Sequence, residues 1–160
     1  MNKAVVRKII SGGQSGVDRA ALDFAIKNQI EHGGWCPRGR IAEKNEIIPY
    51  KYNLIETISD GYAERTKINV ERSDGTLILV DMLPLKEESG TSSTVKIAFS
   101  IDKPVIIIDI HDNVGAHKKN KIIEWLTNNN IEILNVAGPK ESSSNGIYKK
   151  AFSFLEDVFL

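Results

Sequence analysis

Twice in this chain an apolar run leads into a glycine- and hydroxyl-rich loop that opens a helical pattern, and that repeated order constrains the fold more than any other feature. The first instance runs from Val5-Val6 through Ile9-Ile10 into Ser11-Gly12-Gly13-Gln14-Ser15-Gly16-Val17-Asp18, followed by Ala20, Ala21, Leu22, Ala25 and Ile26 on one helical face. The second runs from Thr76-Leu77-Ile78-Leu79-Val80 to Ser89-Gly90-Thr91-Ser92-Ser93-Thr94, with Thr91 or Ser92 as helix cap and Val95, Ile97, Ala98 and Ile101 as the apolar face. Glycines let backbone approach a ligand, and the unpaired N–H groups of a helix's first turn attract anions. Two such loops in one chain predict a two-sided phosphate clamp.

The rest of the chain continues the alternation. A short segment around Gly33-Gly34-Trp35-Cys36 is expected to return to the sheet, and an irregular stretch runs from Pro37 to about Ser59. A polar helix over Tyr62 to Arg72 leads through Ser73-Asp74-Gly75 into the strand Thr76 to Val80. Val105-Ile106-Ile107-Ile108 reads as a strand buried on both faces, and a helix over Lys118 to Asn129, a strand over Ile131 to Val136 and a closing helix over Asn145 to Phe159 complete the order. Continuous apolar strands alternating with helices predict a Rossmann-like three-layer α/β fold, a mainly parallel sheet with helices on both faces. Ligands in such sheets sit beyond the carboxyl ends of the strands, where both glycine loops and Gly138-Pro139-Lys140-Glu141-Ser142 fall.

At 160 residues the chain is expected to form one domain. Its 21 basic and 21 acidic residues balance, so no overall field draws it to nucleic acid or an anionic membrane. No apolar run approaches the ~20 residues of a spanning helix, which predicts a cytoplasmic location. The single cysteine, Cys36, excludes an intrachain disulfide and a Cys-x-x-Cys metal pair.

Neither loop is a dinucleotide fingerprint or a Walker A loop: the first places its glycines at Gly12, Gly13 and Gly16, and no Gly-Lys-Ser/Thr follows. Asp18 either orients a ligand hydroxyl or complements the helix N-terminus. Arg19 holds a phosphate or remains an exposed helix charge. Arg38, Gly39 and Arg40 either close over an anion or form a solvated loop. Arg65, Thr66 and Asn69 share a helical surface that faces the cleft or water. Asp74 with Ser73 serves the ligand or simple turn chemistry. Thr91 and Thr94 offer hydroxyls to a phosphate, alongside Ser89, Gly90 and Ser92. His32, His111 and His117 lack metal-ligand spacing, and neither a nucleophile elbow nor paired catalytic carboxylates are present, so the pattern points to binding rather than catalysis.

With these residues in view, the chain resembles the molybdenum cofactor carrier-like family, a branch of the Rossmann-like superfamily that includes the lysine-decarboxylase-like phosphoribohydrolases. The resemblance runs nearly end to end. Besides the two glycine loops, it is carried by Gly33-Gly34-Trp35-Cys36-Pro37-Arg38-Gly39-Arg40, Tyr62-Ala63-Glu64-Arg65-Thr66-Lys67-Ile68-Asn69-Val70, Ser73-Asp74-Gly75-Thr76 and Asn135-Val136-Ala137-Gly138-Pro139-Lys140-Glu141-Ser142. It implies a protein that binds the molybdenum cofactor (molybdopterin), its phosphate on the helix N-termini and its pterin near Arg65, Asn69 and Asp74; a nucleotide would satisfy the same clamp. The related hydrolases carry Pro-Gly-Gly-x-Gly-Thr-x-x-Glu at the second loop, whereas here Ser89 precedes Gly90 and Thr94 stands in the glutamate's place, so the carboxylate of that chemistry is missing. The resemblance also implies a homo-oligomer, and the closing helix, with Ile147, Phe152, Phe154, Leu155, Val158, Phe159 and Leu160, offers more apolar surface than one core face needs.

Overall fold

Parallel strand pairing organises the molecule. The computed structural model describes residues 6–87, 89–112 and 115–160; Val5, at the expected start of the first strand, lies outside them. The chain runs β1 (Lys8–Ile10), α1 (Val17–Lys27), β2 (Glu31–Gly33), β3 (Trp35–Cys36), β4 (Ile55–Glu56), α2 (Tyr62–Glu71), β5 (Gly75–Val80), α3 (Gly90–Ser100), β6 (Val105–Asp109), α4 (Ala116–Asn128), β7 (Ile133–Ala137) and α5 (Ile147–Phe159). Five strands form one sheet in the order β2-β1-β7-β5-β6, every pair parallel. This is the expected Rossmann-like α/β architecture.

Side chains alternate across each strand, so the two sheet faces are covered by different residues. On one face Ile9, Leu77, Leu79, Leu134 and Val136 pack with Val17, Ala21 and Phe24 of α1, with Ile122 and Leu126 of α4, and with Ala151, Phe154 and Leu155 of α5. The opposite face carries Ile78 and the polar Thr76 and Asn135, and α2 and α3 pack together over that side.

Four expectations need correction. Trp35 and Cys36 leave the main sheet and pair with Ile55 and Glu56 in a separate two-stranded ribbon. The strand at 105–109 is an edge strand with β5 as its neighbour, and its residues alternate between half-buried and buried, so only one of its faces is fully covered. Ser89, rather than Thr91 or Ser92, caps α3, its Oγ accepting the Ser92 N–H at 3.1 Å, and the helix buries Thr91, Ser92, Thr94 and Ala98 instead of a wholly apolar face. Finally, α5 has little surplus apolar surface: Phe152 and Phe159 close on Phe24, with ring centroids 6.5 and 5.9 Å away, leaving Leu160 exposed at the end.

The irregular segment between β3 and α2 has a core of its own. Leu22, Cys36, Ala42, Ile48 and Tyr52 cluster there, with Leu54 against them. Arg40 is buried inside this segment, its guanidinium donating to the carbonyls of Ile48, Leu54, Pro49 and Tyr52 while stacking near the Tyr50 ring.

Candidate functional site

Because every strand of the main sheet points the same way, the loops after β1, β5 and β7 gather at one edge. The chain leaves β1 toward β2 and leaves β5 toward β6 on the other side, so the loops part over β7, which lies between them. A cleft of about 790 Å³ opens there. Gly12, Gln14 and Asp18 line it from the first loop, Tyr62, Arg65, Thr66 and Asn69 from α2, and Ser89, Gly90, Thr91 and Thr94 from the second loop and α3. The third loop adds Lys140, Ser143 and Ser144, the strap after β5 adds Met82, Pro84 and Lys86, and Asn135 lies on the floor.

The two glycine loops are not equivalent. In the first, the buried Asp18 carboxylate supplies the anion: its Oδ2 accepts the Gln14 N–H at 3.2 Å and faces Arg65 Nη1 at 3.4 Å. The same Arg65 nitrogen donates to the Gly12 carbonyl at 2.9 Å, and a Cβ on Gly12 would collide with that guanidinium. Burial pushes the Asp18 carboxyl above the ordinary carboxylate range, opposed by Arg65 and by the loop amides. At the N-terminus of α1 the Val17 N–H is also taken, by the Pro139 carbonyl at 3.2 Å.

The second loop stays open. Ser89 satisfies Ser92, but the Gly90 and Thr91 N–H groups have no partner among the described residues. A Cβ built on Gly90 meets nothing within 4 Å, so neither packing nor backbone conformation demands glycine at this position. Thr94 Oγ1 donates to the Gly90 carbonyl at 3.0 Å, so its hydroxyl proton is engaged within the helix. Lys86 on the strap and Lys140 across the cleft bring positive charge to the rim.

Gln14 and Asn135 complete the polar lining. Gln14 Oε1 accepts N–H groups from Ser15 and Glu43, at 3.0 and 2.9 Å, which fixes the amide and leaves its nitrogen unpartnered among the described residues. Asn135 is only 3% exposed and is tied to Thr76 Oγ1 at 3.2 Å. The sequence reading did not choose Asn135 as a site residue; a polar residue inside the apolar run of β7 was the available signal.

Several expected site residues lie elsewhere. Gly13 has φ of 78° and points at Leu54 and Ile48 in the segment core, away from the cleft. Ser15 bridges Glu43 and the Glu141 N–H, and Gly16 lies against the Pro139 carbonyl, so both join loops rather than line the cleft. Ser92 turns its hydroxyl to the Glu87 and Ser89 carbonyls. Arg38 is exposed on the irregular segment, and Arg40 is occupied by carbonyls, so neither closes over the cleft. Asp74 sits at the amino end of β5, the wrong edge for the ligand, where its Oδ2 accepts the Glu132 and Ile133 N–H groups. Asn69 borders the cleft while its side chain pairs with both backbone groups of Trp35, at 2.9 Å each. Arg19 reaches the Gly13 carbonyl and Glu46. Cys36 is buried, and burial pushes its thiol up. Among the described residues no three His, Cys, Asp or Glu side chains gather as a metal site.

The family model of the circularly permutated YpsA SLOG family matches residues 9–159. The chain belongs to that family. The match embraces all three loops of the cleft. Within the SLOG fold the chain is also similar to a crystal structure of a putative molybdenum carrier protein from Syntrophus aciditrophicus SB, with 40% identity and a TM-score of 0.91 over 99% of this chain and 97% of that one. No curated protein matches the chain. The cleft is therefore a feature of a molybdenum carrier-like SLOG protein.

Proposed function

We propose that the protein is a carrier that holds the molybdenum cofactor in the cleft by its phosphate-bearing pterin. The observation that carries this reading is the open end of α3: Gly90 and Thr91 line the cleft with amides unpartnered among the described residues, at a glycine that the fold itself does not require. A phosphate there gains charge-assisted hydrogen bonds from both amides and the attraction of Lys86. The polar lining of Gln14, Arg65 and Asn135 then suits the donors and acceptors of a pterin. No His or Cys lines the cleft among the described residues, so the chain grips the organic part of its cargo and leaves the metal to its own ligands. The carrier description of the 40% identical neighbour supports the choice of cargo.

The test is anaerobic gel filtration of the protein with molybdenum cofactor, with and without excess AMP. Cofactor is expected in the protein peak, displaced by AMP, with no adenine released. Cofactor left in the included volume while AMP is retained intact makes the protein a nucleotide-binding module. Released adenine makes it a phosphoribohydrolase despite Thr94.

A further inference from the structure

The cleft has two glycine loops, and the first of them holds a buried carboxylate. Asp18 is buried, and its carboxylate accepts the Gln14 N–H and lies against Arg65. Among the described residues Arg65 is the only cation within ion-pair distance of Asp18, and the same nitrogen is fixed on the Gly12 carbonyl. A second anion brought to this loop would compete with Asp18 for an amide already in use and would face a carboxylate that is itself shielded from solvent. Among the described residues that line the second loop no carboxylate takes its amides: Gly90 and Thr91 N–H are unpartnered there, and Asp81, the other carboxylate among the described residues of the cleft wall, is paired with Lys150 at 3.6 Å.

We infer that Asp18 is a specificity-determining residue that closes the first loop to phosphate, so that the cleft takes ligands with phosphate at one end only and gains nothing from a pyrophosphate bridging the two loops. What the first loop does offer is a neutral donor. Gln14, 7% exposed on the cleft wall, has its oxygen taken by the Ser15 and Glu43 N–H groups, which leaves its side-chain N–H groups unpartnered among the described residues. They suit a carbonyl oxygen on the ligand's ring rather than another charged oxygen. The ligand class is thus a phosphomonoester whose far end carries an oxo group. This inference rests on the phosphate reading of the second loop.

The probes are inorganic phosphate and pyrophosphate, followed by backbone amide NMR on the wild-type protein and on Asp18→Asn. Phosphate is expected to shift the Gly90 and Thr91 signals in both proteins. In the wild type, pyrophosphate is expected to bind within about threefold of phosphate and to leave Gly12 and Gln14 unmoved; in Asp18→Asn it gains about tenfold and shifts both. If phosphate moves neither Gly90 nor Thr91, the reading of the second loop fails and this inference with it. If phosphate moves them but wild-type pyrophosphate binds more than about tenfold tighter and shifts Gly12 and Gln14, Asp18 is no gate while the phosphate site stands. An unchanged ratio in Asp18→Asn overturns the assignment to Asp18. The same spectra report whether the variant is folded; Asp18→Ser replaces it if it is not, and the wild-type comparison decides the selectivity in either case.

Discussion

Glycine at position 90 and glycine at position 13 answer to different demands. Gly13 adopts φ of 78° and would place a Cβ 2.6 Å from Leu54 Cδ1, whereas Gly90 has space on every side. Gly13→Leu is therefore expected to destabilise the fold by about 2–3 kcal/mol, through backbone strain and overpacking, and to lose ligand only as a consequence. Gly90→Leu is expected to melt within a few degrees of the wild type while weakening phosphate binding by at least about tenfold, since its side chain would stand where the anion approaches. Thermal melts alongside calorimetric titrations separate the two cases. Unchanged affinity in Gly90→Leu would remove the phosphate from the end of α3.

Between β3 and α2 the chain has little regular structure, and two side chains give it shape. Arg40 collects four carbonyls from residues 48–54, and Asn69 of α2 pairs with Trp35 much as a neighbouring strand would. Arg40→Met is expected to cost about 2–4 kcal/mol, because buried carbonyls lose a charged donor. Hydrogen exchange should then show residues 48–57 opening while β5 and β7 keep their protection; equal loss across the sheet would mean that the segment and sheet unfold as one unit. These roles were not legible in the sequence. Arg38-Gly39-Arg40 has the composition of an anion clamp, and only the fold shows that one arginine turns inward and the other to solvent. Asp74, by contrast, was legible from chain order alone, since a residue that precedes β5 lies at the amino edge of a parallel sheet, away from the loops that follow the carboxyl ends. The helices and main strands were legible to within a few residues, because apolar periodicity is local. The edge position of β6 was not, because strand order depends on pairings between residues far apart in the chain.

Across the whole molecule, the packing of α5 on α1 alters the argument for self-association. The apolar residues that appeared in excess on the closing helix are occupied by Phe24 and the sheet, and the exposed apolar side chains lie elsewhere, Phe99 of α3 among them. We propose a homo-oligomer formed through a surface other than the buried face of α5. Multi-angle light scattering is expected to give a multiple of the chain mass, and a single-chain mass at all concentrations would refute it. No helix among the described residues is long and apolar enough to cross a membrane. The place of β7 has a consequence for how such a molecule is made. Strands β1 and β5 are neighbours only through residues 133–137, so on the ribosome each must wait with a bare edge until those residues emerge. A nascent chain stalled before residue 133 therefore presents two unpaired strand edges and no cleft floor, a form that chaperones would recognise and cargo would not.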